Sequence, residues 1–288
     1  MPNMRELIVE DLSVTYPTLH GDVDVVQHLS MRIGCERVGI VGESGSGKSM
    51  TARALMGLVR APGRVRAARL EFGGQDLLGL SERGWRRLRG SGIGLVLQDP
   101  KYSLNPVRRI GDQVGEAGLL HRAFGKGDAR AKVLALLAEV GIADPERVAG
   151  AYPHQLSGGI GQRVMIAAML AASPQLLIAD EPTSALDVQV RDQVLALLSR
   201  EIDTRRMGLL LISHDLRMVA RFCDRVLIMY RGRIVEECRG DRLFDARHPY
   251  TRGLLDCLPS AATRGTTLPV LDRARLDGAR DVLTANGS

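Results

Sequence analysis

Alternating apolar and polar positions mark the N-terminal part of the chain. They occur at residues 7–16, Val23–Val26, Leu29–Ile33 and Leu70–Phe72. A period of two is typical of strands that bury one face against a core. These stretches therefore predict an antiparallel β layer near the N-terminus.

A second pattern consists of short, continuous apolar runs. The runs are Val38–Val41, Ile93–Leu97, Leu176–Ala179, Leu209–Ile212 and Val226–Met229. Runs of this length are typical of strands buried on both faces of a parallel sheet, with helices between them. The sequence thus predicts an α/β fold in which a parallel sheet accompanies the antiparallel layer.

The long interval between the second and third runs has a mainly helical pattern. Its clearest element is an amphipathic stretch at residues 128–140, which Gly141 ends. This interval predicts a helical lobe inserted into the core. Small and polar residues dominate at 259–288 without clear periodicity, which predicts a tail.

Composition and charge narrow the classes of function. Hydrophobic residues make up 45% and charged residues 25% of the 288-residue chain, as in ordinary globular proteins. The net charge of +6 is spread without long basic runs, which argues against a nucleic-acid partner. The four cysteines are too far apart to indicate a zinc site or a disulfide framework. Because the apolar runs are too short to span a bilayer and the first residues do not resemble a secretory signal, we expect a cytoplasmic protein.

A phosphate-binding loop is predicted between the strand at Val38–Val41 and a helix through Leu58. Glycines let backbone N–H groups approach phosphates, and the helix N-terminus favours negative charge. Lys48 is predicted to reach the β- and γ-phosphates, and the Ser49 hydroxyl to bind magnesium. The predicted nucleotide contacts of this loop are Gly42, Glu43, Ser44, Gly45, Ser46, Gly47, Lys48, Ser49 and Met50.

Two carboxylates directly follow the third apolar run. The run predicts a buried strand that brings Asp180 and Glu181 to its carboxyl end, where open α/β sheets bind ligands. We expect Asp180 to hold magnesium through water and Glu181 to polarise the attacking water as general base. Together with the loop, these carboxylates predict hydrolysis of a nucleoside triphosphate.

A second glycine-containing segment, LSGGIGQR at residues 156–163, precedes a helical pattern at residues 162–172. Ser157, Gly158 and Gly159 stand where a helix N-terminus would bind another anion. The chain therefore carries two half-sites for phosphate.

In the order of these motifs, the sequence resembles the ATP-binding subunits of ATP-binding cassette (ABC) transporters. The resemblance implies a P-loop NTPase (RecA-like) core that binds ATP and Mg²⁺ and couples ATP hydrolysis to transport. It assigns residues 1–258 to the ATPase domain, with a helical subdomain at about 99–172, and residues 259–288 to a tail. It also implies that two cassettes pack head to tail, so that the LSGG segment of one closes over the ATP of the other.

The resemblance assigns further roles. Tyr16 matches the aromatic residue that stacks on adenine, Gln98 the glutamine that senses magnesium and the nucleophilic water, and His214 the histidine that touches the γ-phosphate. Ser184–Asp187 matches the loop that contacts the opposite subunit. The implied catalytic residues are Lys48, Gln98, Glu181 and His214, and the implied metal ligands are Ser49, Gln98 and Asp180. One departure is Ile160, where the family usually has glutamine; it puts turnover in question more than phosphate contact.

Other strings resemble those of importers of peptides, nickel and metal chelates. They are Gln98–Pro100, Ser103–Pro106 and His248–Thr251. Many peptide-type members hold a 4Fe-4S cluster on a cysteine-rich C-terminal segment, which needs four thiolates. Only Cys257 lies beyond residue 250 here, so the cluster is predicted to be absent. This favours the nickel or metallophore members and leaves dipeptide import open.

The implied partners are a second ABC ATPase subunit (the same or a related chain), two transmembrane permease subunits and, indirectly, an extracytoplasmic solute-binding protein. They imply a peripheral position on the cytoplasmic face of the inner membrane. The loop at residues 99–106 is expected to couple Gln98 to the membrane subunits. A charge at Leu104 is therefore expected to lower transport while nucleotide binding is retained.

Two alternatives belong to other classes. A soluble cassette ATPase that acts on DNA or ribosomes usually has a long coiled-coil insertion or two cassettes in one chain, and the sequence has neither. A regulatory nucleotide-binding module would lack the catalytic carboxylate that Glu181 provides.

Overall fold

A computed structural model describes residues 6–97, 103–184 and 186–258. Gln98, part of the predicted coupling loop and the predicted tail at 259–288 lie outside these ranges. The domain limits assigned from the sequence, 1–258 with a subdomain at about 99–172, stay a prediction.

The strands form two sheets, and their bounds are as follows: β1 Leu7–Thr18, β2 Gly21–Ile33, β3 Arg37–Val41, β4 Arg64–Arg66, β5 Arg69–Phe72, β6 Gln75–Asp76, β7 Ile93–Val96, β8 Leu176–Asp180, β9 Gly208–Ser213, β10 Arg225–Tyr230 and β11 Arg233–Arg239. The first sheet has the order β2-β1-β5-β6, with β4 also paired to β1, and all its pairs are antiparallel. The second has the order β11-β10-β3-β9-β8-β7 and is parallel from β10 to β7. Both predicted β layers are confirmed.

The helices are α1 Lys48–Leu55, α2 Glu82–Leu88, α3 Ile110–Leu120, α4 Ala129–Glu139, α5 Pro145–Gly150, α6 Gly158–Ala171, α7 Val188–Arg205, α8 Leu216–Phe222 and α9 Pro249–Asp256. Two 3₁₀ turns cover Pro153–Gln155 and Gly240–Asp245. The interval between β7 and β8 contains α3 to α6, so the predicted helical insertion is confirmed. Within the described ranges, no helix combines the length and apolar content needed to cross a bilayer.

The alternation of side chains along β9 explains why its apolar run is continuous. Leu209 and Leu211 enter the core shared with the helical lobe, whereas Leu210 and Ile212 enter the core shared with the antiparallel sheet. All four side chains are fully buried. The parallel sheet thus lies between two separate hydrophobic cores, and burial on both faces removes the polar alternation.

Several boundaries differ from the sequence prediction for local physical reasons. β2 is one continuous strand, whereas the sequence indicated two separate stretches. The alternation is interrupted inside the strand at His28, which has φ 50° and contacts Asp11, with φ 56°, on β1. The predicted helix through Leu58 ends at Leu55, since Gly57 takes φ 60°. α6 begins at Gly158, four residues before the predicted start, because three glycines of low helix propensity hide its first turn.

Leu104 is 7% exposed and belongs to the core of the helical lobe, together with Ile110 and Val114. An arginine at this position would place a charge among apolar side chains. The expectation that Leu104→Arg isolates coupling from folding is therefore wrong, because the side chain supports the fold.

We expect Leu104→Ala to lower the free energy of unfolding by about 2–3 kcal/mol, because it removes buried methyl groups and leaves a cavity. Val107→Ala in the same segment is the matched control, since Val107 is 79% exposed. Urea unfolding followed by circular dichroism measures both variants. Equal stabilities of the two variants would contradict the packing of Leu104.

Candidate functional site

The phosphate loop between β3 and α1 depends on two glycines. A Cβ atom at Gly42 would lie 2.1 Å from the carbonyl oxygen of Met229. At Gly47, with φ 106°, it would lie 2.7 Å from the carbonyl oxygen of Val25. Neither contact is sterically possible, so only glycine lets the loop pack against β2 and β10.

The Lys48 ammonium lies inside this loop. Its Nζ donates to the carbonyl oxygens of Gly42 (2.8 Å) and Glu43 (2.7 Å), and the residue is only 6% exposed. Burial lowers the pKa of Lys48, while the carboxylates of Glu181, Asp180 and Glu43 act in the opposite direction. The loop therefore encloses a cation, the charge that a phosphate group requires.

Ser49 and Asp180 bring two side-chain oxygen atoms together at the start of α1. The Ser49 hydroxyl donates to Oδ1 of Asp180 at 3.0 Å. Burial raises the pKa of Asp180, the Ser49 hydrogen bond lowers it, and the nearby Glu181 raises it further. No group of three His, Cys, Asp or Glu residues suited to a metal occurs among the described residues. One carboxylate and one hydroxyl nevertheless fit Mg²⁺, which commonly takes few protein ligands and completes its shell with phosphates and water.

Glu181 and His214 form a second polar pair at the edge of the sheet. Nδ1 of His214 lies 3.2 Å from Oε2 of Glu181, and their side chains are 63% and 22% exposed, respectively. Glu181 adopts φ 49°, and its N–H donates to the carbonyl oxygen of Ile212 at 2.9 Å. Because non-glycine residues rarely adopt this conformation, the hydrogen bond to β9 holds the carboxylate at an otherwise unfavourable position.

A cavity of about 410 Å³ is lined by Lys48, Ser49 and Glu181 and by residues around them. Its lining is Val25, Ser44, Gly45, Gly47, Lys48, Ser49, Met50, Arg53 and Glu181. Val25 and Arg53 were missed by sequence analysis. Helical spacing was the available signal for Arg53, because it lies one turn after Ser49 on α1. Val25 had no signal, since only the packing of β2 brings it to the loop.

Tyr16 lies beside this cavity but does not line it. Its hydroxyl is 3.9 Å from the sulfur of Met50, which does. The ring is partly buried against the core and packs close to Gly63. The structure therefore brings the residue predicted to stack on adenine to the rim of the site, while that role stays a prediction.

The LSGG segment lies outside the cavity lining. Ser157 and Gly158 are exposed at the N-terminus of α6, and within the described residues the Ser157 side chain forms no capping hydrogen bond. Gly159 packs against Val190 of α7, where a Cβ atom would approach to 2.8 Å. Ile160, the departure noted in the sequence, packs partly buried against the core.

The segment at residues 184–187 connects the carboxylates to α7. The hydroxyl of Ser184 donates to the carbonyl oxygen of Glu181 at 3.2 Å. Asp187 caps α7 by accepting the N–H of Val190 at 3.0 Å. Ala185, like Gln98, lies outside the described residues, so the predicted roles of both stay predictions.

Comparison with known proteins agrees with this arrangement. A sequence model described as "ABC transporter" matches residues 26–184. The dipeptide transport ATP-binding protein DppD of Escherichia coli K12 is 46% identical over 90% of this chain and 80% of its own length. The oligopeptide transport ATP-binding protein OppD of Bacillus subtilis 168 is 44% identical over 91% of this chain and 74% of its own length.

Among solved structures, a dimeric bacterial ABC transporter cassette, MJ0796, matches with a TM-score of 0.70 at 27% identity, over 82% of this chain and 98% of its own. The phosphate loop, the carboxylates at the end of β8 and the LSGG segment thus stand in a fold shared with that cassette. The chain belongs to the ABC transporter family of ATP-binding subunits.

Proposed function

We propose that this chain hydrolyses ATP to drive the uptake of dipeptides or oligopeptides through partner membrane subunits. The observation that supports hydrolysis best is that Lys48, Ser49 and Glu181 line one cavity. Asp180 is hydrogen-bonded to Ser49, and His214 contacts Glu181. The relatives DppD and OppD supply the substrate class. Their names favour peptides over the nickel or metallophore solutes that the lack of a cysteine-rich C-terminal segment suggested. Neither name refers to DNA or ribosomes.

Binding of the triphosphate follows from the loop. Its backbone N–H groups and the Lys48 ammonium would contact the β- and γ-phosphates at the N-terminus of α1. Ser49 and Asp180, with Gln98 as a further predicted ligand, are the residues that would hold magnesium. A bound Mg²⁺ ion supplies positive charge that offsets the charge developing on the phosphate oxygens.

Hydrolysis then requires a group that takes a proton from water. The Glu181 carboxylate would accept that proton as the water oxygen bonds to the γ-phosphorus and the bond to ADP breaks. His214 contacts Glu181 through Nδ1 and is exposed enough for the same imidazole to approach the γ-phosphate. The pair thus orients the base and links its position to the presence of the phosphate.

Glu181→Gln should lower ATP turnover by about 10²- to 10⁴-fold while ATP affinity changes by less than about threefold, because the base is lost and the loop is not. Lys48→Ala should instead weaken nucleotide binding itself. Glu82→Gln on the surface of α2 is the matched control and should match the wild type in both measurements. Phosphate release and titration with a fluorescent ATP analogue measure the two quantities; near-normal turnover of Glu181→Gln would rule out its role.

We further propose that two cassettes enclose ATP between them. The exposed Ser157 and Gly158 are not part of the chain's own cavity lining, and their helix N-terminus suits a phosphate of another subunit. The related cassette MJ0796 forms a dimer. The partner is a second copy of this chain or a related ATPase subunit.

Mixing Lys48→Ala and Ser157→Arg subunits tests this sandwich. Each variant alone should be nearly inactive, whereas the mixture should regain part of the wild-type ATPase activity. In a dimer with one subunit of each variant, both substitutions lie in the same ATP site, so the second ATP site is intact. If the natural partner is a related cassette, each lesion is placed in one of the two chains. Absence of recovery with either partner would contradict a shared site.

A membrane partner would require a separate surface, and the helical lobe has a groove of suitable size. A cavity of about 910 Å³ lies among α3, α4 and α5, lined in part by Leu119, Leu120 and Val133. Leu120 is 71% exposed. We propose that this groove receives a short segment of a transmembrane subunit, which would hold the chain peripherally on the cytoplasmic face of the inner membrane.

Leu120→Arg should lower transport by the assembled complex at least about fivefold, because a charge replaces an apolar contact in the groove. ATP binding by the isolated chain should be unchanged. Leu78→Arg is the matched control, since Leu78 is 44% exposed in the loop between β6 and α2. Transport into proteoliposomes and copurification with the membrane subunits measure the effect; full activity of Leu120→Arg would exclude the groove.

A further inference from the structure

The segment His248–Thr251, which the site described above does not use, reaches the phosphate loop. The N–H of Glu43 donates to the hydroxyl oxygen of Tyr250 at 3.0 Å, although 207 residues separate them along the chain. Tyr250 is fully buried at the start of α9. A residue near the C-terminal end of the described chain thus contacts the backbone at the first turn of the loop.

Tyr250 is itself held in place from several sides. The Glu236 carboxylate of β11 accepts the N–H groups of Arg247 (2.8 Å) and His248 (3.3 Å). Nδ1 of His248 accepts the N–H of Tyr250 at 3.2 Å, which caps α9. The Tyr250 ring packs on that of Tyr230, with centroids 4.3 Å apart. The phenol therefore stands at a fixed position relative to the parallel sheet.

The contact constrains the loop at the residue whose carbonyl binds the lysine. The carbonyl oxygen of Glu43 accepts from Nζ of Lys48 at 2.7 Å and from the N–H of Ser46 at 3.2 Å. The N–H of Glu43 belongs to the peptide group that joins Gly42 to Glu43, and the hydrogen bond to Tyr250 holds this group in place. Loss of the phenol oxygen would leave that N–H without this acceptor and free the peptide to rotate.

We propose that Tyr250 is a positioning residue of the phosphate loop, whose hydroxyl holds the Glu43 peptide in the orientation that receives the phosphates of ATP. This inference rests on the proposed function of the loop as the ATP site. Tyr250 is not among the residues that line the cavity, and its contact with the loop backbone is at Glu43, so we expect it to act on the nucleotide through Glu43 and Lys48. Preorganisation of this kind contributes to affinity because the loop is not reordered on binding.

The chain offers a matched control for the hydroxyl. In the described part of the protein, the buried hydroxyl of Tyr230 has no hydrogen-bond partner, although its ring packs on Tyr250. Tyr250→Phe and Tyr230→Phe each remove one oxygen and retain the ring. Only the first variant removes the acceptor of the Glu43 N–H.

We expect Tyr250→Phe to weaken ATP and ADP binding by roughly threefold to thirtyfold, and Tyr230→Phe by less than about twofold. The KM for ATP should rise more than kcat falls, since bound phosphates hold the loop once they are in place. Calorimetric titration of the full chain with ATP and ADP, and steady-state hydrolysis, measure these effects. A purely structural role would lower thermal stability without this split between KM and kcat.

Hydrogen–deuterium exchange of the Glu43 amide in nucleotide-free protein gives an independent measurement. Exchange should accelerate at least about fivefold in Tyr250→Phe and not in Tyr230→Phe. If the wild type binds ATP and Tyr250→Phe binds it with the same affinity, only the positioning role is overturned. Equal losses of ATP affinity in Tyr250→Phe and Tyr230→Phe would overturn it as well. Failure of the wild type to bind ATP would overturn the proposed function instead.

Discussion

The pairing of β9 with β3 on one side and β8 on the other is the constraint on which the site depends. β3 leads into the phosphate loop, β8 ends at Asp180 with Glu181 directly after it, and β9 leads to His214. Because parallel strands end at the same edge of a sheet, this order gathers groups that are far apart in the chain. The strands are held in register by fully buried side chains such as Leu210 and Ile178, so packing, rather than contacts within the site, fixes the distances among the reactive groups.

The electrostatics of the site follow from its burial. Lys48 is buried and Asp180 is half-buried, and the penalty for burying each charge is partly offset by the opposite charge nearby. The lysine is also solvated by carbonyl oxygens of its own loop. A polyanionic ligand would enter a pocket in which cation, hydroxyl and N–H groups already stand in position, so little reorganisation would accompany its binding.

The sequence predicted most of this architecture because its signals are local. Each of the five continuous apolar runs forms a strand, and the glycines around Lys48 and Ser157 occupy the loop and helix start that their motifs indicate. The short strands β4 and β6 and the helix α9 were not predicted, since few residues in them show a period. The contact between Tyr250 and Glu43 had no local signal at all, because it joins segments that only the complete sheet brings together.

The division of β9 between two cores also affects how the protein can change over evolutionary time. Leu209 and Leu211 face the core of the helical lobe, and Leu210 and Ile212 face the antiparallel sheet. Substitutions on opposite faces share few contacts, so their effects on stability are close to additive. The helical lobe can therefore diverge among duplicated copies while the antiparallel layer keeps its packing. One ATPase scaffold can in this way be fitted to many transporters.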